Sequence, residues 1–413
     1  MESFTPPFKL LAQAPPGLEP LLLQELAELG IQGTVLQGGV RWIGGWNDLL
    51  RANLWLRTAS RVLIELGSFR VRALGELERK AAALPWSHLP PGPVRFRISA
   101  SRSRLYHEGA IEERLRRAGG LPATGKPATS EPAIGESPIG DSTAGESVGE
   151  SEQGPLLVVR VHRDTLTIRL DASGEHLHRR GYRVDVGEAP VRETLAAALL
   201  LTLSSGGGDR PLIDPFCGSG TLPIEAALLR RKIPPGMASP GFRPRDYAFS
   251  TWAGFPHSMW AEQCAEAQAA ILPPLRSGEL WGSDRDTRMV EAAQRNAARA
   301  GVEGDIAWSS APVSKAPLPE GADAPRGWVV TNPPWGGRLG DRSRLRALYG
   351  SFGGGFRPGG RLDGWGLRML SGDPVLTRTL GVPVEAYMST TQGGLPIQGV
   401  GFNPRDAEGL GDG

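Results

Sequence analysis

The sequence predicts an α/β protein: a doubly wound parallel sheet, finished by an antiparallel hairpin and preceded by a smaller α+β region. Three observations predict it. From Ala189 onward, short apolar strands alternate with helices, as in "PLIDPF", "TLPIEAALLRRK", "ELWGSD", "DTRMVEAAQRNAARAG" and "GWVVTNPP". Apolar strands that each feed a helix read as a parallel sheet covered on both faces. Before residue 120 strands and helices alternate on a smaller scale, and near the end "EAYMSTTQGGLPIQGVGF" reads as two strands joined at Gly393-Gly394.

The elements follow in order. "FKLLAQAP" is a strand, "GLEPLLLQELAELG" an amphipathic helix closed by Gly30, and "GGVRWIG" a strand. "WNDLLRANLWLRTAS" is a second helix, "RVLIELGSFRV" a strand, and "ELERKAAALPW" a third helix stopped by Pro85. "VRFRISA" is a strand and "EGAIEERLRRAG" a helix, and "LLVVRVHRDTLTIRLDAS" is a hairpin turning at His162-Arg163-Asp164. Between that helix and that hairpin lies 121–154, rich in Gly, Ser, Pro and Glu, with a repeated G-E-S and no apolar period. It buries too little apolar surface to offset its ordering entropy and reads as a disordered insertion within a unit. "ETLAAALLLTL" is the helix that opens the larger sheet region, and "DIAWSSAPV" a further strand in it.

Composition narrows the class. At 413 residues, 40% hydrophobic and 22% charged, the chain has room for two or three domains of ordinary globular make-up. No apolar run is long enough to span a membrane, and "MESFTPP" lacks the layout of a secretion signal. Two cysteines, Cys217 and Cys264, point to the cytoplasm rather than to a disulfide framework. Six histidines show no metal-ligand spacing, so no metal site is expected. A net charge of +2 conceals segregation: residues 1–120 carry 16 Lys/Arg against 11 Asp/Glu, and 121–154 carry one lysine against six acids. A basic N-terminal part beside a neutral larger one suits a nucleic-acid-handling region joined to a catalytic one, although a merely solvated face has the same charge.

Three strand ends carry the chemistry, because ligands of such sheets sit at the carboxyl ends of strands. The first, "IDPFCGSGTLPIEAALL", joins strand to helix by a glycine loop that lets backbone approach a ligand at a helix N-terminus. It is neither a dinucleotide fingerprint nor a phosphate-binding P-loop, and its acid, Asp214, suits a ligand bearing an ammonium group. The second, "LWGSDRD", places Asp284 to accept both hydroxyls of a ribose or to cap the next helix; Asp286 is the better cap. The third is "TNPPWGGRLGD". Proline locks φ and donates nothing, so the turn fixes its carbonyls. Asn332 Oδ1 and the Pro333 carbonyl can then accept both hydrogens of an exocyclic amine, and Trp335 offers a face for stacking.

With "SRSRLYHEGAIEERL" and "LDASGEHLHRRGYRVDVGEAPVRETLAAALL", these segments resemble the class I, S-adenosylmethionine-dependent RNA guanine-N2 methyltransferases that carry a THUMP domain. The resemblance is greatest to the L-type enzymes acting on large-subunit ribosomal RNA, and "YAFSTWAGFPHSMWAEQCAEAQA" matches an insertion typical of them. It spans the chain except 121–154 and implies a class I methyltransferase fold behind a ferredoxin-like and THUMP region. The implied organisation is a ferredoxin-like region over 1–55, a THUMP RNA-binding domain over 56–173, a connector over 174–188 and a methyltransferase domain over 189–405. It implies that Asp214, Gly218 and Gly220 surround the methionine part of S-adenosylmethionine and that Ser219 and Thr221 also bind the cofactor. Asp284 would hold the ribose, while Arg192 and Thr194 in "PVRET" would close over the cofactor. Asn332, Pro333, Pro334 and Trp335 would form the catalytic clamp on the target amine. Three residues depart from the family pattern: Trp335 stands where Tyr or Phe is usual, Gly337 stands where Glu is frequent, and "DIAWSSAPV" offers Pro312 and serines where an acid usually meets adenine.

The implied reaction is direct in-line methyl transfer to guanine N2 in extruded RNA, with RNA held by the basic N-terminal part. Arg95, Arg97, Arg102 and Arg104 are the candidate RNA contacts. A transfer-RNA guanine-N2 methyltransferase shares these motifs, and a catalytically inactive RNA-binding module is the alternative of different class.

Overall fold

The computed structural model describes residues 5–90, 92–122, 154–185, 191–203, 210–319, 326–335, 342–392 and 394–404. Most of the 121–154 insertion, the Gly336–Asp341 end of the third strand-end motif (Gly337 included), Ala189 and Gly393 lie outside them.

Alternation builds the first sheet. In β1 (Phe8–Gln13) Leu10 and Ala12 are buried while Lys9 between Phe8 and Leu10 is exposed, and in β5 (Arg95–Ser101) Phe96 and Ile98 are buried between half-buried arginines. The other strands are β2 (Thr34–Leu36), β3 (Gly39–Gly44), β4 (Arg61–Arg70), β6 (Leu156–His162) and β7 (Thr165–Asp171). They order as β2-β3-β1-β4-β7-β6-β5. All neighbours are antiparallel except β5 and β6. The parallel pair is bridged by α4 (Glu108–Gly119), so the 121–154 segment sits in a crossover between two strands of one sheet. Helices α1 (Glu19–Glu28), α2 (Trp46–Trp55), α3 (Leu74–Ala81) and α4 send Leu22, Leu26, Leu49, Leu50, Leu77, Ile111 and Leu115 into the core against one face of this sheet.

The second sheet orders as β10-β9-β8-β11-β12-β14-β13. Its strands are β8 (Leu212–Asp214), β9 (Leu280–Asp284), β10 (Ala307–Ser310), β11 (Trp328–Thr331), β12 (Gly366–Ser371), β13 (Glu385–Gln392) and β14 (Leu395–Phe402). The first five pair in parallel, and only β14 runs against its neighbours. Both faces are packed. Trp328 and Val330 join the core under α5 (Glu193–Leu201), α6 (Thr221–Arg230) and α8 (Thr287–Ala300). Val329 and Met369 meet Tyr349 and Phe352 of α9 (Arg342–Gly354) and Leu376 of α10 (Pro374–Thr379). Helix α7 (His257–Ala269) reaches back to the first region, where Gln263 Nε2 donates to Asn47 Oδ1 at 2.8 Å. Among the described residues no helix is long and apolar enough to cross a membrane.

The sheets share a polar seam. Leu177 N donates to Ser60 O at 2.8 Å, Arg57 Nη2 to Ile233 O at 2.8 Å, and Tyr247 OH to Asn53 O at 3.0 Å. Within the seam Arg180 Nη2 donates to Arg57 O at 2.6 Å and Tyr182 OH to Glu225 Oε1 at 3.0 Å. These groups are buried, where losing one partner would leave the other unsatisfied, so the seam resists separation.

Elements β2, β12, α7, α9 and α10 go beyond the sequence reading. Strand β12 carries Arg368 at its centre, a charge that argues against a core strand. The structure resolves the conflict locally. Arg368 donates to Leu367 O, Phe402 O and Asn403 Oδ1 at 2.8–3.0 Å, and its guanidinium lies 4.6 Å from the Trp328 ring and 3.5 Å from the Tyr387 ring.

Candidate active site

Because β8, β9 and β11 are parallel neighbours, their carboxyl ends reach the same rim, on either side of the point where strand order reverses. The loop after β8 turns through Gly218 at φ +51° and Gly220 at φ +87°, a region costly for side chains with a Cβ. Gly220 also lies flat on its surroundings: a Cβ there would sit 2.8 Å from Ala293 and 2.9 Å from the Trp308 ring. A Cβ on Gly218 would meet nothing within 4 Å, so the loop crest faces open space. Thr221 then begins α6, whose first amides point toward that crest.

Asp284 braces this loop. Its Oδ2 accepts from Gly218 N at 3.1 Å and its Oδ1 from Asp286 N at 2.9 Å. It does not cap α8; Asp286 does, accepting from Arg288 N at 3.0 Å. Asn296 of α8 reaches the same loop, donating to Ser219 O at 3.0 Å.

Asp214 is buried and ties two strand ends together. Its Oδ1 accepts from Thr331 Oγ1 at 2.6 Å and from Phe216 N at 3.1 Å. Burial pushes its carboxyl up to about 7, helped by the nearby charge of Asp284 and opposed by those two hydrogen bonds.

Beyond Thr331, Asn332 is half-buried, Pro333 buried and Pro334 exposed. The Trp335 ring lies against the turn after β12, so close that a Cβ on Gly372 would be 2.4 Å from it. Its Nε1 donates to Asn332 Oδ1 at 3.1 Å. Phenylalanine has no such donor and tyrosine carries its own at the ring tip, so this bond is particular to the indole.

The "PVRET" stretch is held from outside. Arg183 Nη1 donates to Val191 O at 2.6 Å, and its Nε lies 3.2 Å from Glu193 Oε1. Burial pushes Glu193 up to about 7 against that guanidinium. Arg192 precedes α5 and Thr194 is buried in its first turn. At the end of β10, Ser310 Oγ meets Thr287 Oγ1 at 2.8 Å and Ala311 N donates to Asp284 O at 2.9 Å.

The strand ends therefore bring Asp214, the glycine loop, Asp284 and Asn332–Trp335 together. The four arginines stand apart, in two groups. Arg95 and Arg97 lie half-buried on one sheet face, near enough to Arg61 for their charges to disfavour its protonated form, whereas Arg102 and Arg104 are exposed beyond the strand. Thr331, Asn296 and Arg183 support the site without having been singled out in the sequence, although Thr331 and Arg183 lie within two of the quoted segments.

Residues 180–393 match the RMKL-like methyltransferase domain, and residues 9–63 match the RlmL ferredoxin-like domain. A Bacillus subtilis (strain 168) protein named "Putative RNA methyltransferase YpsC" is 33% identical over 376 residues, 88% of each chain. Among solved structures, SMU.472, "a putative methyltransferase complexed with SAH", superposes with a TM-score of 0.77 at 27% identity, over 98% of this chain and 100% of that one. A "predicted N6-adenine-specific DNA methylase" from Listeria monocytogenes str. 4b F2365 gives a TM-score of 0.75 at 32% identity over 97% of each chain.

Proposed function

The chain belongs to the RMKL-like methyltransferase family and uses S-adenosylmethionine; from that premise we propose that it methylates the exocyclic N2 of a guanine in large-subunit ribosomal RNA. The observation that carries the reading is the Asn332–Trp335 turn, held rigid at the end of β11 beside the glycine loop of β8. The name of the Bacillus relative favours RNA, and the RlmL-type ferredoxin-like domain at 9–63 favours ribosomal RNA within it.

The residues fit the cofactor. The open crest at Gly218, the first amides of α6 and the Asp284 carboxylate offer backbone donors and an acceptor in one cradle. Asp214 and the loop through Ser219 and Thr221 would hold its amino-acid end, Asp284 its ribose, and Arg192 with Thr194 would cover it. When bound, it supplies a methyl group on a positively charged sulfur. The chain's own work is on the base. A carbonyl oxygen has two acceptor sites, so Asn332 Oδ1 keeps one for the guanine amine while Trp335 Nε1 occupies the other. The Pro333 carbonyl accepts the second amine hydrogen, and one of the two amine protons is released to water once the nitrogen is methylated. With both hydrogens held, the nitrogen lone pair is aimed rather than delocalised into the ring, a positioning effect that contributes several kcal/mol. The Trp335 face receives the extruded base.

We read residues 1–55 as ferredoxin-like, 56–173 as a THUMP unit and 189–405 as catalytic. The first two share one sheet, because β4 pairs with β1 on one side and β7 on the other.

A second reading, adenine-N6 methylation, draws on the name of the Listeria neighbour and on the tolerance of this turn for any exocyclic amine. The test is incubation of the purified chain and labelled S-adenosylmethionine with ribosomal RNA, transfer RNA or DNA, followed by nucleoside mass spectrometry. N2-methylguanosine in large-subunit RNA is expected. Product confined to transfer RNA, or N6-methyladenine as the product, overturns the proposal.

A further inference from the structure

The N-terminal sheet ends in a tip that the reaction site leaves unused. Three segments meet there: Arg70 and Arg72 at the end of β4, the 102–107 loop after β5, and the Arg163-Asp164 turn between β6 and β7. The tip is held by its own backbone. Asp164 Oδ1 accepts from Arg104 N at 2.9 Å and its Oδ2 from Arg72 Nε at 3.0 Å, while Asp164 O accepts from Val71 N at 2.7 Å. Asp164 N donates to Ser103 Oγ at 3.0 Å, and that hydroxyl donates to Ser101 O at 2.9 Å. Arg102, Arg163 and Asp164 sit at φ +49°, +48° and +60°, a region non-glycine residues occupy when their surroundings over-determine it.

This framework turns the acids inward and the cations outward. Asp164 is engaged by Arg72 and Arg104, and Glu76 by Arg72 N and Lys80. Glu108 lies at the start of α4. Arg70, Arg72, Arg102, Arg104 and Arg163 are exposed. On the loop that carries Arg102 and Arg104, Tyr106 is 63% exposed, its ring 4.1 Å from that of His107. The ring stands largely in water on a braced loop that also carries the exposed Arg102 and Arg104, with the His107 ring against it. It matches a base beside its phosphates.

We propose that this tip docks an unpaired nucleotide of the RNA substrate, with the base stacked on Tyr106 and the flanking phosphates against the arginines. The proposal rests on the reading of the chain as an RNA methyltransferase and names how that substrate is held at a distance. The tip lies at the other end of β4 from the seam. Arg61, at the start of β4, bonds Gly174 O at the seam with the catalytic region, and Arg70 lies nine residues further along the strand, about 30 Å away. A substrate that uses both places therefore also contacts the far end of the N-terminal sheet.

The test uses the full chain with Tyr106→Ala and Tyr106→Phe. Affinity is measured by fluorescence anisotropy for a single-stranded RNA 12-mer and an RNA duplex of equal length, with methyl transfer to ribosomal RNA followed in parallel. Tyr106→Ala is expected to lose about tenfold affinity for the single strand, with duplex affinity and melting temperature unchanged. Tyr106→Phe keeps most of the single-strand affinity. Equal single-strand binding by Tyr106→Ala and wild type overturns the proposal. So does poly-glutamate competing in a Tyr106-dependent way while RNA binding is Tyr106-independent, which would assign the tip to an acidic protein. Failure of the methyltransferase reading shows separately, as absent transfer to RNA by the wild type.

Discussion

The two sheets have the same number of strands and opposite habits. The catalytic sheet is packed on both faces, Trp328 and Val330 into one core and Val329 into another, so its central strands β8, β11 and β12 are buried throughout and can be reached only at their ends. The N-terminal sheet places its helices on one face. Its other face carries Lys9, Arg41, Arg97, Arg160 and Arg169 around a small apolar cluster of Leu11, Leu63, Leu156 and Val158. The difference shows where each can act. A doubly covered sheet offers a rim, suited to fixing a few atoms; a singly covered one offers a surface and a tip, suited to a long polyanion. Chemistry and substrate capture should therefore separate by mutation.

The largest effect expected is on turnover. Asn332→Ala should lower single-turnover methyl transfer by about two to three orders of magnitude, the scale of removing one oriented polar group from a reacting centre. RNA and cofactor affinity should stay near wild type. Asp284→Ala should do the reverse, weakening S-adenosylmethionine by about 10- to 100-fold in calorimetry, since bonds to a charged acceptor are worth ~1.5–3 kcal/mol. Near-normal turnover by Asn332→Ala would reduce the turn to a connection and erase the contrast.

Neutralising Arg102 and Arg104 probes the other region. RNA affinity should fall and the log–log salt slope flatten by about one unit for each phosphate left without its arginine, with cofactor affinity unmoved. The half-buried pair Arg95 and Arg97 should change the slope less. Equal effects from both pairs would show that the sheet face, not the tip, dominates.

A smaller effect sharpens the rim. Trp335→Phe keeps a stacking face but loses the indole donor to Asn332, so turnover should drop about 2- to 10-fold, the worth of one neutral hydrogen bond. Trp335→Ala should lose more, by weakening base capture as well. Identical rates for Trp335→Phe and wild type would mean that the bond does not align Asn332.

Stability against pH tests the buried Asp214. Its folded pKa is raised from 3.8 to about 7, so between those values the folded chain retains a proton that the unfolded chain has lost. Stability contributed by this group is thus full below pH 4 and falls as pH rises toward 7. Asp214→Asn should flatten that slope in melting curves. An unchanged slope would mean that Asp214 titrates near the ordinary carboxylate range.

The smallest effect is expected from the insertion. Replacing 123–153 by a short glycine linker should leave melting temperature and methyl transfer nearly unchanged, because β5 and β6 already pair through all seven residues of β5. A large loss would show that the segment is part of the fold or holds RNA.

Much of this was legible in the sequence, because it is local. Glycines at 218 and 220 open the positive-φ region that side chains avoid, and the Pro333-Pro334 pair fixes φ, whatever lies around them, so the loop and the turn announced themselves. Period-two burial in β5 and the Asp286 cap of α8 follow from near neighbours in the same way. The rest depended on partners far along the chain. Thr331 and Asp214 are 117 residues apart and meet only because β11 and β8 are neighbours in register. Strand β12 was hidden by Arg368, whose charge is tolerable only between two rings and two distant acceptors, Phe402 O and Asn403 Oδ1. The split of four sequence-adjacent arginines into a half-buried pair and an exposed pair was set by where the strand ends and by the turn from β6 to β7 that braces the loop. The sequence by itself determined which backbone could turn and which residue types stood at the turns. Tertiary structure decided which of them touch, because a hydrogen bond needs two groups within about 3 Å, and only strand register brings distant ones so close.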